Sequence, residues 1–309
     1  MHFIKKNLMK SQNPCVLSIQ SHMTYGRSGN RAAVLPLEVN GIQVDPLNTC
    51  HYSAHTAYPY HNGQILSVQQ LRDTISALET NGILHSYTHL LTGYLGDAAI
   101  ANEIYSIKAK LGNEIAYICD PVLGDQGKFY TKSEAEEQLK IMRKYLVGCA
   151  ETITPNAYEA MWLTGMRSMG NVHEMLEIVD KLHELGPKNV IISSTEWDRR
   201  FTVFSWNNKE YQCAIETPSF NRKFEGPGDV FASLLLANMI NYPGQYELIS
   251  TRTVNSVYQV LRTTYENGST ELSLHLSVEA LRNPEMVFKP ISFEELTQIH
   301  IKDNAIYNA

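Results

Sequence analysis

The chain alternates short apolar runs with longer segments of helical periodicity, and this alternation restricts its possible folds more than any other feature. Six runs have the length and composition of buried strands: Cys15–Gln20, Gln43–Thr49, Thr88–Thr92, Ile115–Asp120, Thr152–Pro155 and Asn189–Ser194. Helix-like segments lie near 30–39, 67–81, 97–111, 133–147, 156–164 and 172–185. Buried strands that alternate with helices form a mainly parallel sheet with helices on both faces. The sequence therefore predicts an α/β fold.

The second half of the chain departs from this alternation. Strands at 201–206 and 210–216 are joined by Asn207-Asn208-Lys209 without a helix, which predicts a β-hairpin. An apolar run at 230–240 predicts a buried helix, helical periodicity returns at 244–266 and 277–282, and a polar tail follows from about Asn283. No internal repeat or linker-like tract divides the chain. We expect a flexible tail over 1–14 and one domain over 15–309.

Composition disfavours several classes of protein. The 309 residues are 43% hydrophobic, enough for a large core, and carry a formal net charge of −6. That charge disfavours general binding to nucleic acid or an anionic membrane, so any anion site must be local. The five cysteines form no C-x-x-C pair and are typical of reduced core thiols. Neither a secretory signal nor a membrane-length apolar stretch is evident, which predicts a soluble, cytoplasmic protein.

The junction Gly226-Pro227-Gly228-Asp229 directly precedes the apolar run at 230–240. Glycines allow backbone N–H groups to converge on an anion at a helix N-terminus, where the helix dipole is positive. Asp229 is placed to take a proton from an attacking hydroxyl, so the junction suggests phosphoryl transfer. A glycine followed by an aspartate that caps a helix is also ordinary turn chemistry.

Polar residues follow the predicted strands, where ligands of parallel sheets bind. They include Ser21-His22, Gly93-Tyr94, the pair Asp120 and Asp125, Thr154 with Asn156, and Ser193-Ser194. Asp120 and Asp125 flank a Pro- and Gly-containing turn and are spaced to face one Mg²⁺ or its waters, although an aspartate that caps its own turn is the alternative. Glu159, three residues after Asn156, matches a capping box and is also a candidate to hold a metal-bound water.

Three histidines, His51, His55 and His61, lie in a segment broken by Pro59 and Gly63. This spacing disfavours zinc, and substrate contact by His55 is the better interpretation. Nearby tyrosines are candidates to stack on an aromatic ring or simply to pack: Tyr52, Tyr58, Tyr60 and Tyr94. The chain lacks a P-loop, an early dinucleotide-binding G-x-G-x-x-G and a G-x-S-x-G nucleophile elbow. Of the reactions considered, phosphoryl transfer at the Gly226–Asp229 anion site is the one left.

The order of motifs resembles the ribokinase-like superfamily, and within it the pyridoxal kinase family. The resemblance spans about residues 15–240 and rests on these motifs: Val16-Leu-Ser-Ile-Gln-Ser-His22, Gly29-Asn-Arg-Ala-Ala33, Ser53-Ala-His-Thr56, Leu91-Thr-Gly-Tyr94, Cys119-Asp-Pro-Val-Leu-Gly-Asp125, Ile153-Thr-Pro-Asn156 and Gly226-Pro-Gly-Asp229. It implies a three-layer α/β/α sandwich. It also implies ATP-dependent phosphorylation of the 5′-hydroxymethyl group of pyridoxal, pyridoxine or pyridoxamine.

The same resemblance assigns roles to residues and partners. Asp229 is implied as the base, with Gly226 and Gly228 in the anion hole. Substrate contacts are implied for Ser21, Tyr52, His55, Thr56 and Tyr94. ATP contacts are implied for Asp125, Thr154, Asn156, Ser193, Ser194 and Gly228. Asp120, Asp125 and Glu159 are implied to organise Mg²⁺ and its waters. K⁺ is a further candidate ion, and the family typically forms homodimers.

One departure from the family pattern keeps alternatives open. Pro227 stands where these kinases usually carry Thr or Ala, and proline has no N–H to donate. Loss of one anion-hole donor costs about 10²–10³ in turnover in other enzymes. A weakly catalytic relative that binds the vitamer is therefore one alternative. The other is a hydroxymethylpyrimidine kinase, whose substrate is also an aromatic ring with a primary alcohol.

Overall fold

The structure is a computed structural model that describes residues 13–130, 135–195 and 199–299. Its strands are β1 Cys15–Met23, β2 Gln43–Tyr52, β3 Gly63–Ile65, β4 His89–Thr92, β5 Ala116–Cys119, β6 Gly124–Asp125, β7 Lys128–Phe129, β8 Thr152–Ile153, β9 Asn189–Ile192, β10 Phe201–Trp206, β11 Tyr211–Glu216 and β12 Ile291–Ser292. Its α-helices are α1 Asn30–Val39, α2 Val68–Thr80, α3 Ala98–Leu111, α4 Ala135–Ile141, α5 Ala157–Thr164, α6 Val172–Glu184, α7 Pro227–Asn241, α8 Tyr246–Glu266 and α9 Val278–Arg282.

Ten strands form one sheet in the order β12-β11-β10-β9-β8-β5-β4-β1-β2-β3. The six central strands, from β9 to β2, pair in parallel. Antiparallel strands extend both edges, with β10 to β12 on one side and β3 on the other. The mainly parallel sheet is thus confirmed. So is the hairpin of β10 and β11, whose connection places Asn207, Asn208 and Lys209 at positive φ.

Apolar side chains cover both faces of the sheet and make three layers, as expected. On one face, helices α2, α3, α5 and α6 pack in a single large core cluster, to which they contribute Leu71, Ile104, Leu163 and Ile178, respectively. On the other face, α1 and α7 pack through Ala33, Leu37 and Leu236. The N-terminal part of α8 joins α7 against β10 and β11. The ribokinase-like sandwich that the sequence predicts is therefore present.

Local capping explains where several helices begin. Ser67 and Gln70 form a capping box at the start of α2, and the Asp97 carboxylate accepts two backbone N–H groups at the start of α3. Asn171 caps α6 in the same manner. Each of these side chains satisfies donors that a helix start leaves without an intrahelical acceptor. The helix starts predicted near 67, 97 and 172 are confirmed within a residue.

The structure corrects the polar tail predicted after Asn283. Residues 291–292 form β12, which extends the sheet beyond β11, and residues 293–299 are helical. The Leu296 side chain is buried in the large core cluster. The prediction failed because a two-residue strand and a short helix with few apolar positions carry little periodicity.

Other boundaries also differ from the predictions. The helix near 133–147 is α4 followed by a π turn at Met142–Leu146 and a 3₁₀ turn at Val147–Cys149. The helix expected at 230–240 begins at Pro227. Three predicted segments lie partly outside the described residues: 1–12 of the N-terminal tail, 133–134 of the helix near 133–147, and 300–309 of the polar tail. We propose the single domain over 15–309 on the continuity of the sheet. In the described part of the chain, every helix is too short or too polar to cross a membrane.

Candidate active site

The start of α7 positions Asp229. Gly226 precedes the helix in the left-handed conformation with φ of 86°, and Pro227 occupies the first helical position. The backbone N–H of Gly29 donates a hydrogen bond of 2.8 Å to Asp229 Oδ2. Burial, opposed by this bond and reinforced by the Glu225 carboxylate, raises the pKa of Asp229 to about 6. The site therefore holds a carboxylate whose proton affinity is suited to general-base chemistry near neutral pH.

Close backbone packing explains why glycines stand at two of these positions. A Cβ atom at Gly226 would lie 1.9 Å from the Arg27 carbonyl oxygen, and one at Gly29 would lie 2.1 Å from the Ser21 carbonyl oxygen. Both residues also have positive φ, which glycine adopts without strain. Gly226 thus brings the start of α7 against the loop before α1, and its role is to form the turn.

Pro227 fits the first position of α7. A helix leaves its first N–H groups without intrahelical acceptors, so a missing donor there costs the helix nothing. The first intrahelical bond runs from Val230 N–H to the Gly226 carbonyl. The N–H groups of Gly228 and Asp229 precede that bond and belong to the same first turn. A Cβ at Gly228 would lie 3.7 Å from Asp120 Oδ2, which places the Gly228 backbone beside the Asp120 carboxylate.

Asp120 and Thr154 meet at the carboxyl ends of β5 and β8. The Thr154 hydroxyl donates a hydrogen bond of 3.0 Å to Asp120 Oδ1. The Asp120 backbone N–H donates to the Thr92 carbonyl, which continues the pairing of β5 with β4. Burial first, then the neighbouring Glu159 and Asp229 carboxylates, raises the pKa of Asp120 well above its ordinary value. The carboxylates predicted from three separate motifs therefore lie close enough to repel one another.

Glu159 organises the turn between β5 and β6. Its Oε1 accepts hydrogen bonds from the N–H groups of Leu123 and Gly124, at 3.0 and 3.4 Å, and its Oε2 accepts one of 2.9 Å from Asn156. The Asn156 side chain accepts the N–H of Glu159 and donates to the Gly124 carbonyl. The predicted capping box is confirmed. Burial raises the pKa of Glu159 to about 8, despite these donors.

The predicted metal ligands form a partial donor set. Among the described residues, no three Asp, Glu, His or Cys side chains converge into a metal site. Asp125 lies at the end of β6 and accepts the Gln126 N–H at 2.8 Å. Mg²⁺ commonly takes one or two carboxylates and completes its shell with water and substrate phosphates. Asp120 and Asp125 fit that pattern, whereas Glu159 is occupied by three backbone donors.

Two serines predicted to contact ATP phosphates and one lysine that was not predicted lie next to other candidate site residues. Ser193 and Ser194 are half-buried directly after β9, and the Ser193 N–H donates to the Pro155 carbonyl. Lys223 Nζ lies 3.9 Å from Asp125 Oδ2 and 3.5 Å from Glu225 Oε1. The sequence did not indicate Lys223, because none of the recognised family motifs lies between Asn156 and Gly226.

The predicted substrate residues lie around the ends of β1, β2 and β4. Ser21 and His55 are buried, and Tyr52 and Tyr94 are half-buried. The Tyr94 ring packs edge-on against Tyr130, with centroids 6.2 Å apart. Burial first, then the neighbouring Cys50 and Tyr94 side chains, raises the pKa of Tyr52. Thr56, by contrast, is exposed. Ser21 lies within β1, which extends three residues beyond the predicted strand.

Glu271 is the second residue that sequence reasoning missed. Its carboxylate accepts hydrogen bonds from His55 Nε2 at 2.7 Å, from the Tyr58 hydroxyl at 2.9 Å and from Arg27 N–H at 3.2 Å. His55 and Glu271 are 216 positions apart in the chain. A single glutamate in a loop forms no motif, so no sequence pattern indicates this contact.

Known proteins share both the sequence pattern and this fold. The model of the phosphomethylpyrimidine kinase family matches residues 61–269. A pyridoxal kinase of Arabidopsis thaliana is 36% identical over 292 residues, 89% of this chain and 93% of the relative. A pyridoxal kinase of Dictyostelium discoideum is 34% identical over 300 residues, 89% of this chain and 98% of the relative.

A solved structure gives the same result. Pyridoxal kinase from Leishmania donovani in complex with ADP and pyridoxine is 27% identical, with a TM-score of 0.81 over 90% of this chain and 99% of that one. The fold is that of ribokinase-like kinases, as the motif order predicted. Within that class, this chain belongs to the pyridoxal kinase family.

Proposed function

We propose that this chain transfers the γ-phosphoryl group of ATP to the 5′-hydroxymethyl group of pyridoxal, pyridoxine or pyridoxamine. The observation that carries the proposal is the position of Asp229 at the start of α7. There its carboxylate accepts a hydrogen bond from the Gly29 N–H and lies beside Asp120. The relatives named above are pyridoxal kinases, and the Leishmania donovani enzyme was solved with ADP and pyridoxine and with ADP and pyridoxamine.

Asp229 acts as the base in this proposal. Its pKa of about 6 leaves it ionised at neutral pH, yet basic enough to accept the proton of the attacking hydroxyl. The Gly228 and Asp229 N–H groups, at the positive end of α7, would donate to the phosphoryl oxygens as charge develops on them. Phosphoryl transfer needs little covalent work from the protein, so positioning and charge neutralisation are its main contributions.

The carboxylates of Asp120 and Asp125 serve the ATP side. Asp120 and Asp125 would hold Mg²⁺ through oxygen ligands or its waters, and the ion when bound neutralises phosphate charge. Thr154 orients Asp120, and Glu159 with Asn156 fixes the turn that carries Asp125. We assign Thr154, Asn156, Ser193 and Ser194 to the ATP phosphate side, and Lys223 supplies a further positive charge near Asp125.

The vitamer would lie at the carboxyl ends of β1, β2 and β4. Ser21 and His55 are two buried polar residues there, and Tyr52 and Tyr94 offer aromatic surface for its ring. Thr56 is assigned to this side by the family motif. A homodimer, a K⁺ requirement and a cytoplasmic location stay predictions.

Coupled ADP release tests the proposal. Mg-ATP is supplied with pyridoxal, and wild type is compared with Asp229→Asn and with a matched control, Asp180→Asn. Asp180 lies on α6 and pairs with Lys209, which places it among surface charges. Turnover on pyridoxal that collapses only in Asp229→Asn supports the kinase and its base together. Faster turnover on hydroxymethylpyrimidine than on pyridoxal would assign the other alcohol as substrate.

A weakly catalytic vitamer-binding protein is the second candidate, and Pro227 is the observation that favours it. Pyridoxal binding measured by calorimetry, together with ADP release no faster than in Asp229→Asn, would establish that alternative. Against it stands the retention of Asp120, Asp125, Glu159 and Asp229, since a protein that only binds the vitamer has no use for the four carboxylates together.

A further inference from the structure

Glu271 joins two loops that flank the substrate side of the site. It follows α8, and its side chain is 13% exposed. The three hydrogen bonds that it accepts come from the loop after β2, through His55 and Tyr58, and from the loop after β1, through Arg27 N–H. A Cβ atom at Gly26 would lie 2.5 Å from Glu271 Oε2, so glycine is required for the carboxylate to approach.

The contact with Glu271 determines which nitrogen of His55 carries hydrogen. An ionised carboxylate only accepts hydrogen bonds, so His55 Nε2 must donate. In a neutral imidazole the other nitrogen, Nδ1, then has a free lone pair and is an acceptor. His55 is 8% exposed, and its Nδ1 atom is buried without a hydrogen-bond partner within the described residues. Buried polar atoms almost always have a partner, so this acceptor indicates a ligand that donates.

We propose that Glu271 is a positioning residue that fixes His55 with hydrogen on Nε2, so that Nδ1 accepts a hydrogen bond from the ring hydroxyl of the pyridine substrate. The proposal rests on the function proposed above. The 5′-hydroxyl is directed to Asp229, and the 4-substituent differs among the three vitamers. The ring hydroxyl is the remaining hydroxyl that all three share, and in the same uncharged form of the ring the nitrogen only accepts. Tyr58 and the Arg27 N–H hold the carboxylate in place.

The test compares pyridoxine with its 3-deoxy analogue, in which hydrogen replaces the ring hydroxyl. The ratio of kcat/KM for the two alcohols is measured in wild type, Glu271→Gln, His55→Ala and the double variant. We expect wild type to prefer pyridoxine at least tenfold and His55→Ala to lose most of this preference. Glu271→Gln should reduce it threefold or more, mainly through KM. In the His55→Ala background, Glu271→Gln should add little, since residues that act through one contact are not additive.

A control separates this role from simple loop attachment. Tyr58→Phe removes one of the three hydrogen bonds that Glu271 accepts and leaves the contacts with His55 and the Arg27 N–H, so it should reduce the preference less than Glu271→Gln does. Glu271→Asp keeps a carboxylate and should retain more of the preference than Glu271→Gln. The proposal is overturned if Glu271→Gln slows both alcohols by the same factor, or if its effect is as large without His55 as with it.

The outcome for wild type distinguishes failure of the proposed function from failure of this inference. Phosphoryl transfer to pyridoxine in wild type, with an unchanged preference in Glu271→Gln, rejects the role of Glu271 alone. Absence of transfer in wild type rejects the proposed function. In that case the Kd values of pyridoxine and its 3-deoxy analogue replace kcat/KM. Equal ratios of these Kd values in wild type and Glu271→Gln then overturn the inference as well.

Discussion

The raised pKa of Asp229 predicts a pH dependence that an ordinary aspartate would not produce. With a pKa of about 6 in place of 3.8, the carboxylate is half ionised at about pH 6. About 90% is ionised at pH 7 and about 10% at pH 5, because one pH unit changes the ratio of the two forms tenfold. If Asp229 is the base, kcat/KM should rise about tenfold from pH 5 to pH 7 and then level off.

A neighbouring charge provides the means to assign this transition. The Glu225 carboxylate contributes to the raised pKa, although burial contributes more. Glu225→Gln should therefore move the midpoint to lower pH by a fraction of a unit, a shift that titration of ATP or of the vitamer would not produce. The assay is coupled ADP release from pH 5 to pH 8 with saturating Mg-ATP. A flat profile, or a midpoint that stays unchanged in Glu225→Gln, would refute the assignment.

Three further predictions concern single substitutions. Pro227→Thr should change kcat by less than about tenfold, because the Gly228 and Asp229 N–H groups remain; a gain of about 10²–10³ in steady-state turnover would show instead that the missing donor limits the enzyme. Gly226→Ala should lower both stability and kcat, since the left-handed conformation alone costs about 1–2 kcal/mol and the Arg27 carbonyl must move; wild-type urea unfolding and turnover would contradict this. Leu296→Ala should cost about 2–5 kcal/mol of unfolding free energy, measured in urea, whereas no loss would show that the segment 293–299 does not pack on the core.

The central fold follows from patterns that are local in the chain. The parallel strands coincide with short apolar runs, and every one of them except β9 leads to a helix before the next parallel strand begins. Helices α2, α3 and α5 also start at side-chain caps that the sequence makes visible. The hairpin at 207–209 is likewise predictable, because asparagine adopts positive φ more readily than most residues. Parallel strands also bring their carboxyl ends to one edge, so Asp120 and Thr154 could be expected to meet.

Contacts between distant segments could not be predicted in the same manner. Glu271 reaches His55 because α8 ends beside the loop after β2, and no local pattern in the chain encodes that proximity. The same holds for Gly29, whose N–H meets Asp229 only once α1 and α7 pack together. Strand β12 depends on its pairing with β11, since two residues are too few to show a strand pattern in the sequence.

The hydrogen bond between Gly29 and Asp229 spans 200 positions of the chain. During synthesis, the loop that holds the base leaves the ribosome long before the base itself is made. A nascent chain that has folded its first strands therefore lacks the α7 amides and the proton acceptor together. Such an intermediate has no means to transfer phosphate from ATP, so incomplete chains should be catalytically silent. The order of the motifs along the chain thus confines activity to chains that have been made and folded at least through α7.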